Sequence, residues 1–327
     1  MSEALTPPPG GLLLANSKAD PRLIEAADRT ARAWQHPGSA PLRLGSEEHK
    51  QAACAMFRET FNPYKPSIIE WPRLEPDAQN RLTSLPIWDI AVQTEGNARL
   101  RMLSYARRHP DPAWNAAIEQ NGWEEGRHKV VISDLVRSYG IQLEPEPEYL
   151  EPKDAEWAYM TTGFSECVDS FFAFGLFDLA RQSGYFPPEL VDTFEPVIQE
   201  EARHILLFAN WLAWHRRNLP IHQRIWFELR VWAVWVHIGW ERIGLARGMG
   251  GGPKEAKGAE NQDVNFTVNG ANSMSNHDVS LREMLEICLA ENDRRFAGYD
   301  QRLLRPTTMP ALARFAKFFM RKKPKPA

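Results

Sequence analysis

Cysteine is scarce in this 327-residue chain, and Cys54, Cys167 and Cys288 lie far apart, with no CxxC pair and no Cys/His spacing. That excludes a disulfide framework and a structural zinc site, and it fits a reducing, cytoplasmic setting. An excess of one charge is missing too. The 39 basic and 42 acidic residues leave a net charge of −3, which is no footprint for nucleic acid. The one basic cluster is the tail Arg321-Lys322-Lys323-Pro324-Lys325. Long apolar runs are absent: the most apolar stretch, Ile225 to Leu245, is interrupted by Glu228, Arg230, His237, Glu241 and Arg242. A membrane span is thereby excluded, while peripheral contact with a membrane through 225–245 stays open. Met1 to Gly11 lacks the basic-then-apolar pattern of a secretory signal. No run alternates in the manner of a strand, so the expected class is all-α.

What the chain does have is length for a sizeable core and an aromatic load of 12 Trp, 16 Phe and 7 Tyr. Residues 1–84 are rich in proline and read as an irregular extension wrapping a core, with one short helix near Glu48–Phe61. From about residue 85 the periodicity becomes helical. Breaks at His109-Pro110-Asp111-Pro112, Gly140, Gly184 and Pro187-Pro188, and Pro220 delimit four long helices. These fall at about 87–109, 113–139, 154–183 and 188–218, and together they predict a four-helix bundle over 85–218. The remainder, 219–327, reads as a Trp-rich covering helix at about 222–247, a Gly/Asn/Ser-rich loop over 248–279, and C-terminal helices at about 280–304 and 310–320. Ser280-Leu-Arg-Glu283 is a capping-box pattern that opens the first of these. The Trp stripe (Trp211, Trp214, Trp226, Trp232, Trp235, Trp240) is expected mainly in the core. Its functional version is a lining for an apolar substrate tunnel.

The chemistry sits in a duplicated motif. Glu124-Glu125-Gly126-Arg127-His128 and Glu200-Glu201-Ala202-Arg203-His204 share the pattern E-E-x-R-H. Glu at i and His at i+3 lie on one helix face and can bind one metal ion. A single ExxH match means little, but a full E-E-x-R-H match is expected only about 0.005 times by chance in such a chain. A bundle site of this kind also takes one Glu from each partner helix. Glu95 is the only Glu of the first helix, and Glu166 lies well inside the third. Glu95 lies as far before its turn as Glu125 lies after it, whereas Glu166 and Glu201 differ by about 7 Å in height at 1.5 Å per residue. Asp89 and Asp169 are the nearest substitutes. Four carboxylates offset the charge of two divalent ions, and the donor set suits iron or manganese better than zinc.

These residues resemble the ferritin-like di-iron carboxylate superfamily, and specifically its oxygenase branch, which includes multicomponent monooxygenase hydroxylases and acyl-carrier-protein desaturases. The resemblance covers about residues 85–215. It implies Glu95 and His128 on one iron, Glu166 and His204 on the other, and Glu125 and Glu201 bridging. It further implies that Glu124 and Glu200 bond the ligand His of the opposite motif, with Arg127 and Arg203 pairing with those acids. Thr162, Gly163 and Ser170 would line the metal-facing stripe of the third helix, with Ser170 as a proton relay; Asp169 departs from the family pattern there. Val197 stands where the arylamine N-oxygenases carry a seventh ligand. The activity so implied is O2-dependent oxidation, by hydroxylation, desaturation or a related reaction, of a small apolar or aromatic organic molecule. The metal pair would be two Fe, Mn/Fe or Mn/Mn, and a separate reductase or ferredoxin would supply electrons. The alternative is a ferroxidase or iron-handling protein without an organic substrate. A homodimer is left open.

Overall fold

The computed structural model describes residues 20–64, 70–85, 87–248 and 279–320, with side chains of the third stretch described through Glu241. Among the described residues there are ten helices and no strand. They are α1 Pro21–Ala31, α2 Glu47–Glu59, α3 Pro76–Thr83, α4 Trp88–Ala106, α5 Pro112–Ser138, α6 Ala155–Ser183, α7 Pro188–Asn218, α8 Ile221–Gly248, α9 Leu281–Phe296 and α10 Thr308–Phe319. The all-α expectation is met. None of the described helices is long and apolar enough to cross a membrane.

Local chemistry sets the ends of the long helices. Asp111 caps α5, its carboxylate accepting from Ala113 N at 3.0 Å and Trp114 N at 3.2 Å, and Pro112 fills the first helical position, where no N–H is needed. Asp154 caps α6 through Trp157 N, and Gly184 ends it at φ 63°, a left-handed conformation that glycine takes without a Cβ clash. Pro188 opens α7. Ser280 caps α9 by accepting from Glu283 N. The helix expected to reach residue 304 stops at Phe296. The reason is a close backbone approach: Trp34 N donates to Gly298 O, and a Cβ on Gly298 would lie 2.2 Å from the Arg32 carbonyl oxygen. The expected loop, 248–279, lies outside the described residues except at its two ends, with Gly248 closing α8.

The four long helices pass through two apolar clusters in a fixed order. One cluster holds Met102, Trp114, Ile118, Phe164, Ile205, Leu206 and Trp211; the other holds Val92, Ile132, Leu135, Phe171, Leu176, Leu190 and Val191. Helices α5 and α6 traverse the first cluster and then the second, while α4 and α7 run the other way. Thus α4–α5 and α6–α7 are antiparallel pairs, and α5 and α6 are parallel. Parallel neighbours need a long return, and residues 140–154 supply it along α4. Glu144 N donates to Asp89 at 2.7 Å, the Tyr149 ring lies against Gly96, and Ser104 donates to Glu151 at 3.2 Å.

The N-terminal region is more helical than the single short helix expected. Helix α2 packs on α5 and α7 and places Ala53, Met56 and Phe57 in the first cluster. Helix α9 packs along α6, and α8 covers α6 and α7 with Phe227, Val231, Val234 and Ile238.

Candidate metal centre

Between the two apolar clusters lies a buried polar layer. Burying a charged group costs several kcal/mol unless it is paired, so the partners of each group matter. Helix α5 brings Glu124, Glu125, Arg127 and His128 into this layer, and α7 brings Glu200, Glu201, Arg203 and His204.

The two motifs interlock. His128 Nε2 lies 2.8 Å from Glu200 Oε2, and His204 Nε2 lies 3.0 Å from Glu124 Oε2. A carboxylate only accepts, so each Nε2 carries the proton, and Nδ1 is turned inward. His128 Nδ1 then lies 3.0 Å from Glu201 Oε1 and 3.8 Å from Glu95 Oε2; His204 Nδ1 lies 2.8 Å from Glu125 Oε1 and 3.9 Å from Glu201 Oε2. None of these close approaches has the alignment of a hydrogen bond: both Nδ1 atoms and Glu125 Oε1 are buried without a partner. Donor atoms of Glu125, His128, Glu201 and His204 lie within 4.8 Å of one another, an arrangement able to hold a metal ion.

Glu95 of α4 and Glu166 of α6 flank this group. Burial, together with the charges of Glu125 and Glu201, pushes both carboxyls well above the usual carboxylate range. Both Glu166 oxygens are buried without a hydrogen-bond partner. Burial opposes charge on His128 and His204, yet the surrounding carboxylates outweigh it and hold both imidazoles well above their usual pKa. Burial likewise opposes ionisation of Glu125, and the two imidazoles overcome it, lowering its pKa. The cluster thus favours positive charge at its centre. Divalent ions would supply that charge and satisfy the orphaned donors together.

The outer layer is equally connected. Arg127 pairs with Glu200 and Arg203 with Glu124, the latter at 2.8 Å. Gln120 donates to the other oxygen of Glu124 at 2.9 Å. Burial works against the charge of Glu124, but Arg203 and His204 hold it well below the usual carboxylate range. The far ends of the arginines are held by residues that sequence reasoning missed. Arg203 donates to Thr60 Oγ1 at 2.8 Å and to Phe57 O at 2.5 Å, and lies over the Phe57 ring; Arg127 donates to Asn62 O at 2.8 Å and lies over the Phe61 and Trp123 rings. Gln120, one turn before Glu124, was open to the i, i+4 rule. The residues after α2 carried no such signal.

The remaining candidates separate. Asp89 accepts from the backbone of Glu144, which places it with the return segment rather than the cluster. Thr162 and Ser170, one turn before and after Glu166, are both buried, and Thr162 Oγ1 has no partner. Asp169 is half-buried; with Glu166 it adds to burial in pushing up the Cys167 thiol. Gly163 is required by contact, since a Cβ there would lie 2.3 Å from the Phe208 ring.

The Trp stripe divides. Trp211 is fully buried and Trp214 and Trp235 are partly so, but Trp226, Trp232 and Trp240 are 69%, 69% and 71% exposed. Helix α8 carries apolar residues on both faces, and periodicity alone marks both as core. A cleft of about 690 Å³ opens beside α4 and α5, lined among others by Gly96, Arg99, Leu103, Lys129 and Tyr149.

Comparison with protein-family models, curated proteins and solved structures returned no match.

Proposed function

We propose that this chain is a ferritin-like carboxylate protein that binds two metal ions, iron in the first instance, and uses O2 to oxidise a small apolar organic molecule. The observation that carries the reading is the crossed pairing of the duplicated motif. Each imidazole is held at Nε2 by the acid of the other helix, and each Nδ1 faces carboxylates with which it makes no hydrogen bond. The long return between α5 and α6 also agrees with ferritin-like bundles, which carry one such crossover.

In this reading Glu95, Glu125, His128, Glu166, Glu201 and His204 hold the metal pair. Iron held by these residues would supply the redox chemistry for O2, with electrons from a separate reductase or ferredoxin. The chain's own residues do the rest. Glu124 and Glu200 fix the tautomer and aim of the two imidazoles, which sets the basicity of Nδ1. Arg127 and Arg203 neutralise those acids, so the layer stays dry without an unpaired charge. Thr162, with a free hydroxyl on the Glu166 face, and Ser170 one turn on are placed to hold a proton beside the reacting molecule. Phe208, which lies against Gly163 and packs edge to face on Phe164 at 5.0 Å, adds apolar surface next to that face.

The test is metal analysis after anaerobic loading with Fe(II), expected to give about two ions per chain. O2 uptake by the reduced, loaded protein comes next. A chain that binds no metal overturns the reading; one that binds iron and leaves O2 untouched overturns the oxidative part.

A further inference from the structure

We propose that the exposed face of α8 pairs with the same face of a second copy of this chain, about a two-fold axis. The proposal stands apart from the metal centre and does not rest on it. Helix α8 is apolar on two opposite sides. Phe227, Val231, Val234 and Ile238 are buried against α6 and α7 and hold the helix in place. The other side presents Ile221, Ile225, Leu229, Trp232, Val236 and Trp240 to solvent, each more than half exposed, with Trp226 equally exposed at its edge. Steps of three and four residues put the six on one stripe, about 28 Å long at 1.5 Å per residue. Because the inner side is packed, the outer stripe is already ordered, and a partner loses little entropy in docking on it.

Area and charge select the occupant. At roughly 250 Å² for a fully exposed Trp and about 100 Å² for an aliphatic side chain, the seven residues offer about 800 Å². That matches the ~800 Å² per partner of a standard, stable interface. A lipid surface calls instead for a rim of Lys and Arg around the apolar face. Here the flanking charges are matched inside the chain: Arg230 with Asp154, Glu228 with Arg216 and Glu241 with His237. Among the described side chains of α8, Arg224 alone is a cation without an ion-pair partner. A face with so little net charge meets its own copy without repulsion. The order of its residues is also self-complementary. With two α8 helices antiparallel about an axis between residues 230 and 231, Ile221 stands opposite Trp240, Ile225 opposite Val236 and Leu229 opposite Trp232. Large rings then meet aliphatic side chains rather than each other, which lets the two layers interdigitate as a two-fold contact requires.

The experiment is sedimentation equilibrium of the full chain. The mass of two chains is expected at about 10 µM, since interfaces of this size reach micromolar affinity or better. Trp232→Asp and Leu229→Asp, which stand opposite each other beside the axis, should each weaken the dimer about hundredfold, because each would bury an unpaired carboxylate in the contact. Circular dichroism should be unchanged, both positions being exposed in the single chain. Should one variant fail to fold, the other decides. Phe315→Asp, on the exposed side of α10, should leave the dimer intact and so ties the effect to α8. A chain that stays monomeric overturns the proposal, including one that instead co-sediments with phosphatidylcholine vesicles through α8. A dimer that the folded α8 variants retain overturns it as well, since its contact then lies elsewhere.

Discussion

The two halves of the candidate centre are alike inside and different outside. Within, α5 and α7 repeat one pattern, and each motif completes the other: Glu200 holds His128, Glu124 holds His204, and the inner carboxylates face the opposite imidazoles. Outside, the α4–α5 half adjoins the open cleft lined by Gly96 and Arg99, and Glu95 is 16% exposed. The α6–α7 half is covered by α8 and α9, and the oxygens of Glu166 are fully enclosed. Duplicated sequence makes the inner geometry symmetric. The covering helices, which are not duplicated, decide how solvent and ligands approach each side.

The largest expected effect tests the symmetry directly. Since each inner carboxylate faces the other motif's imidazole, His128→Ala and His204→Ala should each, on the proposed two-metal reading, take the metal content from about two per chain to near zero. Loss of only one ion in either variant would show that the halves are independent. Next come the arginines. Arg127→Leu and Arg203→Leu each strand a buried carboxylate, at a cost of about 3–5 kcal/mol in urea denaturation. Arg203→Leu should cost more, because it leaves two acceptors, Thr60 Oγ1 and Phe57 O, without their donor, where Arg127→Leu strands Asn62 O. Equal losses would remove the distinction. Glu124→Gln and Glu200→Gln keep volume but weaken the hold on the imidazoles, and each should lower metal affinity about 10–100-fold by competition with a chelator. A large difference between the two would locate the asymmetry in the polar layer instead of its cover. The smallest effects come from glycines. Gly163→Ala drives a Cβ into the Phe208 ring and should cost about 1–3 kcal/mol. Gly126→Ala meets only the flexible Arg99 side chain, 2.9 Å away, and should be within about 1 kcal/mol of neutral. The check is the pair of thermal melts, and a reversed order would mean that α6 yields more readily than α5.

Much of this arrangement was legible from residue spacing. Pro112, Gly184 and Pro188 marked the long helices because each has a local conformational reason to stand at a helix end. The crossed contacts of Glu124 and Glu200 followed from the resemblance carried by the repeated E-E-x-R-H. What escaped were features set by tertiary contact. The early end of α9 depends on Gly298 meeting Arg32, a neighbour more than 260 positions away. Periodicity on α8 could not tell the buried Phe227 and Val234 from the exposed Trp232 and Trp240, because an apolar pattern records hydrophobicity and not the presence of a neighbour. The anchoring of both arginines by residues 57–62 uses two backbone carbonyls, which no side-chain pattern encodes.

That anchoring redraws the minimal functional unit. Residues 85–218 contain every candidate ligand, and an excised fragment with those limits would look complete on paper. It would nonetheless strip two guanidinium groups of the partners, Phe57, Thr60 and Asn62, that receive their far ends. A shortened version of this protein therefore has to begin before α2, and a library that shuffles its modules should place the cut near residue 45 rather than at the first long helix.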